Sequence, residues 1–487
     1  MRKFLFLVGM FVFFLPFLSV KTFAHGVQTG PAPTKERLQA IDRYIDEAIP
    51  ALGAPGGSVA VVYQGEQVYS RSWGVTGGRK ETVTADTPFL IGSMSKTVTA
   101  YGVMHLIDEG VIQIDAPVQR YLPWFNLPDS EAVSRMTIRQ LLLQTSGLSN
   151  QAGMNIADRG ARDQLAIQRN ARELTDENCV AEPGDKHIYS NANYALLGAV
   201  IEAVSGKTYE DYMESHIFTP LGMEHTAATV QKAEALGWQH GYRSWLGLSV
   251  PSDIPYDNGG APYGYLAASS SDMARFMTAL QKPGKVVSSE KTKEMMQPEV
   301  QVRSGSFYGY GWRISQTDTG ATRVWHAGST ADFRSEMVVL PDTGWGIIVL
   351  TNQNNRLEEN RLSIVMDGLQ NILLTGEAKP ISFPIIWERW LAVGVIVTLI
   401  GYTAWIIAAL WRGEKTKFGK WVWSMNGCLF FLMAGLLIPG LLYVTKVSWH
   451  TISLFAPDLK ELTMLIVILL TINGLFSLIR ASAVPVK

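Results

Sequence analysis

Ser93-Met94-Ser95-Lys96 sets a hydroxyl and an amine three positions apart, close to one helical turn, so the two project from the same face. A serine hydroxyl is a weak nucleophile until a neighbouring base takes its proton. A lysine withdrawn from water has its pKa lowered and can serve as that base. A serine at a helix start also points its own backbone N–H toward a developing oxyanion. The spacing alone says little, because Ser288-Ser289-Glu290-Lys291 repeats it. That copy lies among Lys285, Lys293 and Glu294 and reads as a solvated helix start with a capping serine.

Ser93 gains weight from its company. Glu182-Pro183-Gly184 leads, after four residues, into Tyr189-Ser190-Asn191. A tyrosinate held near a lysinium could pass the proton between nucleophile and leaving group, and the Asn191 amide could hold substrate or Lys96. Trp325-His326-Ala327-Gly328-Ser329 ends a strand. Its small residues would let a substrate backbone lie alongside, and the N–H of Ser329 would complete an oxyanion hole with that of Ser93. Two rivals fail on context. Tyr256-Asp257-Asn258 runs into a Gly-rich turn, and Lys282-Pro283-Gly284 has a proline that would spoil a strand edge. Leu141-Leu142-Leu143-Gln144-Thr145-Ser146-Gly147-Leu148 reads as a helix end and turn.

In that order, S-x-x-K, LLxxTSGL, P-G-x(4)-Y-S-N and H-x-G resemble the serine β-lactamase and penicillin-binding-protein superfamily. The tyrosine in the second motif is similar to the class C branch, with its low-molecular-weight penicillin-binding proteins, D-aminopeptidases and esterases. The stretch Gly264 to Phe276 is similar to that branch too, and coverage is roughly residues 35–370. The resemblance implies an α/β fold: a β-lactamase-like mixed sheet, antiparallel and flanked by helices, with an all-α subdomain. It implies Ser93 as acylated nucleophile, Lys96 and Tyr189 as proton handlers, and Asn191 as a substrate contact. His326 departs from the lysine of many β-lactamases. Histidine is mostly neutral at pH 7, so esters or D-amino-acid peptides are favoured over efficient β-lactam hydrolysis. Gln151 and Arg356 fall near positions where the family contacts substrate.

The scaffold around these groups is also legible in the sequence. Leu38, Ile41, Ile45 and Ile49 recur at helical spacing within 33–50. Residues 57–63 and 67–73 read as a hairpin across Gln64-Gly65-Glu66. The Ser93 helix runs to a glycine stop at Gly110, and the chain from 100 to 240 reads mostly as helices. A helix at 271–280 has Ser271 or Asp272 as its cap. Strands return at 310–314, 322–325, 335–340 and 345–350, followed by a helix near 357–374. Early and late strands around helical sequence suggest one mixed sheet with a helical insertion.

The ends of the chain concern membranes. Residues 1–24 read as a secretory signal, or an uncleaved anchor: Arg2 and Lys3, then an apolar run to Val20, then Thr22-Phe23-Ala24. The catalytic domain is expected at 25–377 and a Pro-bearing linker at 378–387. Three transmembrane helices within 388–487 follow, at about 388–411, 421–445 and 462–480. Trp387, Trp390, Trp411, Trp421, Trp423, Tyr443 and Trp449 cluster near their ends, as an aromatic belt does. Arg412, Lys415, Lys417 and Lys420 crowd the first loop, which places that loop inside and residues 25–385 outside the plasma membrane.

The 487 residues carry 42 Lys plus Arg against 43 Asp plus Glu, and no long run of one sign, so a nucleic-acid partner is unsupported. Cys179 and Cys428 make no disulfide scaffold, and no His, Cys or carboxylate spacing suggests a metal. No cofactor is expected. The sequence therefore predicts a membrane-anchored hydrolase acting on small-molecule or peptidoglycan-derived substrate. A receptor that acylates without turning over is the alternative. A transport role is disfavoured because the spans lack ionisable residues away from their ends.

Overall fold

A computed structural model of the chain describes residues 31–128, 130–413 and 418–483. The signal segment, Lys415, Lys417 and the last four residues lie outside them. Among the described residues thirteen strands occur: β1 (Gly56–Tyr63), β2 (Glu66–Gly74), β3 (Phe89–Leu90), β4 (Tyr242–Trp245), β5 (Leu248–Pro251), β6 (Ala267–Ala268), β7 (Val300–Arg303), β8 (Ser306–Tyr308), β9 (Arg313–Gln316), β10 (Thr322–Ser329), β11 (Arg334–Leu340), β12 (Trp345–Thr351) and β13 (Gln353–Asn354). Eight of them form one sheet in the order β2-β1-β12-β11-β10-β9-β8-β7, antiparallel at every pairing. The expected mixed character is confined to a small sheet, β13-β4-β5, where β13 runs parallel to β4.

Side chains alternate across the large sheet, as strand geometry requires. Val59 and Val61 face one core and Ala60 and Val62 the other. The first core is roofed by α1 (Lys35–Leu52), capped by Thr34, which is the helix expected over 33–50. The second lies under α2 (Ser95–Asp108), α3 (Asn150–Asn155), α4 (Asn191–Ser205) and α5 (Ser270–Gln281). With both faces covered, β1 and β12 read as near-continuous apolar runs rather than alternating ones, and β11 is buried along its whole length although it opens with Arg334-Ser335-Glu336. α6 (Asn360–Thr375) packs beside α1.

The strand expected at 310–314 is β9, shifted to Arg313–Gln316, and two boundaries at helix starts also differ from expectation. The helix at 270 is capped by Ser269, which accepts from the Asp272 N–H at 3.1 Å. Asp272 itself is occupied by the His225 N–H and the Thr226 hydroxyl, at 2.6 and 2.7 Å. At the nucleophile, Gly92–Met94 forms a 3-10 turn and the α-helix proper starts at Ser95. The turn is made by Gly92 at φ +54°, in the left-handed region.

Three further helices, α7 (Trp387–Trp411), α8 (Lys420–Thr445) and α9 (Pro457–Ser482), are long and apolar enough to cross a membrane. Their asparagines do more than fill space. Asn426 donates to the Tyr402 hydroxyl at 2.5 Å, and Asn473 accepts from Thr403 at 2.8 Å and donates to the Leu399 carbonyl at 3.2 Å. These are helix-to-helix bonds of the kind that hold spans together in lipid.

Candidate active site

Lys96, on the first turn of α2, is fully buried and directs its three N–H donors to three oxygens. They are Ser93 Oγ at 3.3 Å, Asn191 Oδ1 at 2.8 Å and the Tyr263 carbonyl at 2.6 Å. None of the three is a carboxylate. Burial, and to a lesser extent Arg313, pull the Lys96 amine below its usual range, against the upward effect of Tyr189. A lysine so placed is prepared to lose its proton.

Tyr189 stands beside it, with the Lys96 nitrogen 5.0 Å from the ring centroid. Burial opposes ionisation of this phenol. Lys96, then Arg313, then the Ser93 hydroxyl outweigh it, so its pKa lies below that of an ordinary tyrosine. The turn within Leu141–Leu148, which by sequence carried no chemistry, holds it there. Gln144, at φ +61°, accepts the Ile188 N–H on its carbonyl at 2.8 Å and the Ser190 N–H on its side chain at 2.9 Å. Those bonds bracket Tyr189 on both sides. Asn150 secures the Tyr189 carbonyl at 3.0 Å. Asn191 opens α4, whose cap is Ser190.

The third wall is β10. His326 and Gly328 face inward on alternate positions. The His326 ring centroid lies 6.2 Å from that of Tyr189, so phenol, amine, hydroxyl and imidazole converge on one cleft. Burial, then Arg313, then Lys96 push the imidazole well below its usual pKa, and it is neutral. Gly328 serves the packing of this wall: a Cβ there would come within 1.8 Å of the Ile91 carbonyl. A Cβ on Gly92 would lie 2.2 Å from the Ser329 nitrogen. The nucleophile turn and the end of β10 thus meet backbone to backbone. Ser329 is anchored through its hydroxyl to Glu359 at 2.5 Å.

Gln151 and Arg356 are not brought into this cluster. Gln151 is exposed on α3 and bonds Asn155 at 2.8 Å, while Arg356 is exposed and paired with Glu359. One group that sequence reasoning missed does join. Arg313 on β9 is half-buried, with its guanidinium carbon 5.2 Å from the Tyr189 ring centroid and 5.7 Å from that of Trp325. Among the described residues it has no carboxylate partner. It is a fixed cation beside the neutral His326. The only sequence signal for it was a strand at 310–314 next to the strand of His326. Tyr308 also packs here, edge-on to Tyr189 at 6.4 Å.

Among the described residues no group of three or more His, Cys, Asp or Glu is arranged to hold a metal.

A family model described as Beta-lactamase matches residues 41–366. Protein flp of Staphylococcus aureus (strain MW2) is 26% identical over 325 residues, covering 66% of this chain and 64% of that protein. The chain thus spans somewhat under two thirds of that relative's length. Penicillin-binding protein 4 of Amycolatopsis lactamdurans is 28% identical over 312 residues, 61% of this chain and 81% of its own. The octameric penicillin-binding protein homologue from Pyrococcus abyssi superposes with a TM-score of 0.61 at 26% identity, covering 72% of this chain and 80% of that one. With two thirds of its length matched and the cleft assembled from the motifs that suggested it, the chain belongs to the β-lactamase family.

Proposed function

We propose that the protein is a membrane-anchored serine hydrolase that forms an acyl-enzyme on Ser93. The observation that carries this is the bonding of a fully buried Lys96 to the Ser93 hydroxyl without a carboxylate among its partners. In the first half-reaction Ser93 Oγ attacks the acyl carbonyl and its proton passes to the Lys96–Tyr189 pair. The N–H groups of Ser93 and Ser329 receive the oxyanion. As the tetrahedral centre collapses, the same pair returns the proton to the leaving amine or alkoxide. Water then attacks the acyl group, gives its proton to the pair, and Ser93 leaves protonated. Asn191 keeps Lys96 aimed, His326 lines the wall against which substrate rests, and Gly328 packs that wall against the Ile91 carbonyl. Gln151, exposed on α3 and bonded to Asn155, would touch only the distal part of a longer substrate.

The substrates proposed are D-amino-acid peptides of wall material or esters, ahead of β-lactams. In this reading α7, α8 and α9 span the plasma membrane of a bacterium and the catalytic body, 25–377, lies outside the cytoplasm. A panel of nitrocefin, p-nitrophenyl esters and D-Ala-terminated peptides, run beside fluorescent-penicillin labelling, tests it. Turnover of a peptide or ester is expected. Stable labelling with no turnover across the panel would make the protein an acyl-trapping receptor instead.

Arg313 gives this reading a signed pH test. Its charge lowers the pKa of both Lys96 and Tyr189. Arg313→Gln therefore shifts the rising limb of the kcat/KM–pH profile to higher pH. Hydrogen bonds to charged groups contribute about 1.5–3 kcal/mol, so acyl donors bearing a carboxylate should lose on the order of 10- to 100-fold in kcat/KM relative to neutral esters. An unmoved limb with equal losses on both donor types would remove Arg313 from the site.

A further inference from the structure

A buried ionic junction joins the catalytic body to the apolar helices. Arg389, in the first turn of α7, donates from Nη1 to Glu358 at 2.5 Å, and its Nε lies 2.5 Å from Asp458 at the start of α9. Glu358 also accepts from the Ser244 hydroxyl on β4 at 3.0 Å. Asp458 accepts from Asn355 Nδ2 at 2.9 Å and from the Leu246 N–H at 3.3 Å. All three charged side chains are buried. Buried charges are costly to leave unpaired, so this junction favours one seating of α7 and α9 against the body.

That seating brings the hairpin β4–β5 to the ends of the apolar helices. Leu246 at its turn and Leu248 and Val250 on its outer strand are exposed, Leu248 by 72%. Seven large apolar side chains before residue 377 are exposed among the described residues, and three of them stand on this one hairpin. Leu248 and Val250 share a face of β5, which is the edge of its sheet. An apolar edge left in water is an aggregation hazard. At the same level Trp387 and Trp390, flanking Arg389, turn their rings outward.

We infer that the β4–β5 hairpin is an interfacial membrane anchor, with Leu246, Leu248 and Val250 resting in the headgroup–acyl boundary of the bilayer that α7, α8 and α9 cross. The inference rests on the reading of those helices as spans. Lipid is the occupant because the hairpin is bonded to Asp458 where α9 begins, and the tryptophans of α7 beside it are the residue type that favours this boundary. The catalytic wall follows directly. Glu358 binds Arg389, and its neighbour Glu359 binds Ser329 at the end of β10. The cleft is therefore held at the membrane surface, in a fixed attitude.

The test uses the full chain with Cys179→Ser and Cys428→Ser, in phosphatidylglycerol–phosphatidylethanolamine vesicles. An NBD probe is placed on Leu248→Cys, on Leu165→Cys as an exposed site elsewhere on the body (70%), and on Leu432→Cys in α8. Shallow doxyl-lipid should quench the probe at 248 several-fold more than at 165, and deep doxyl-lipid should quench it at 432. Quenching at 432 with position 248 no different from 165 overturns the anchor and leaves the spans standing. No quenching at 432 overturns the span reading itself, and the anchor with it. Blue-shifted emission at 248 without lipid quenching means a protein covers the hairpin and also overturns the inference. With Arg389→Gln and Asp458→Asn together, quenching at 248 should fall toward the level at 165 while 432 holds. Unchanged quenching at 248 would refute the junction's part in seating the hairpin.

Discussion

Ser93→Ala should abolish covalent labelling by fluorescent penicillin or a fluorophosphonate and reduce turnover by on the order of 10^4-fold or more, the scale seen when a serine nucleophile is removed. The fold should survive. The Ser93 hydroxyl is bonded to Lys96 at 3.3 Å, and without it Lys96 keeps Asn191 and the Tyr263 carbonyl. Ser95 offers no substitute nucleophile. Its buried hydroxyl donates to the Gly92 carbonyl at 2.8 Å and accepts the Leu266 N–H at 3.1 Å, so it builds the turn that presents Ser93. Persistent labelling of a folded Ser93→Ala protein would take Ser93 out of the mechanism.

How far such a site can be read from sequence depends on how its parts are carried. Ser93 with Lys96 and Tyr189 with Asn191 each lie within one turn of chain, and local spacing suffices to suggest them. His326 declares itself by ending a strand beside glycine. Arg313 has no such local signature. It reaches the cleft because β9 pairs with β10 in a register that sets Arg313 opposite Trp325, and a register is invisible until the strands are paired. Gln144 was legible as a turn but not as a positioner, since its bonds to Ile188 and Ser190 cross more than forty residues. The hairpin at 242–251 was lost for a different reason. Its strands are four residues each, short enough to vanish against helical surroundings, and its exposed leucines make sense only beside α9. The glycine of H-x-G suggested room for substrate, whereas its space is taken up by the Ile91 carbonyl.

The proton carrier gives the second large effect. Lys96→Met keeps length and bulk while removing the amine, and should lower kcat/KM by about 10^2–10^4-fold, the span assigned to a positioned base. The oxygens of Asn191 and Tyr263 would lose their donor, at about 1–3 kcal/mol for each buried group left unpaired. Lys96→Arg should not restore activity, because a guanidinium holds its proton at any working pH. Tyr189→Phe separates the two members of the pair. The Tyr189 phenolate raises the Lys96 pKa, so its removal lets the amine deprotonate at lower pH. Activity should fall, and the rising limb of what remains should move to lower pH, opposite in sign to Arg313→Gln. The midpoint of that limb belongs to the coupled pair rather than to either residue. If Tyr189→Phe and Arg313→Gln moved it in the same direction, Lys96 and Tyr189 would not share the proton that Ser93 gives up.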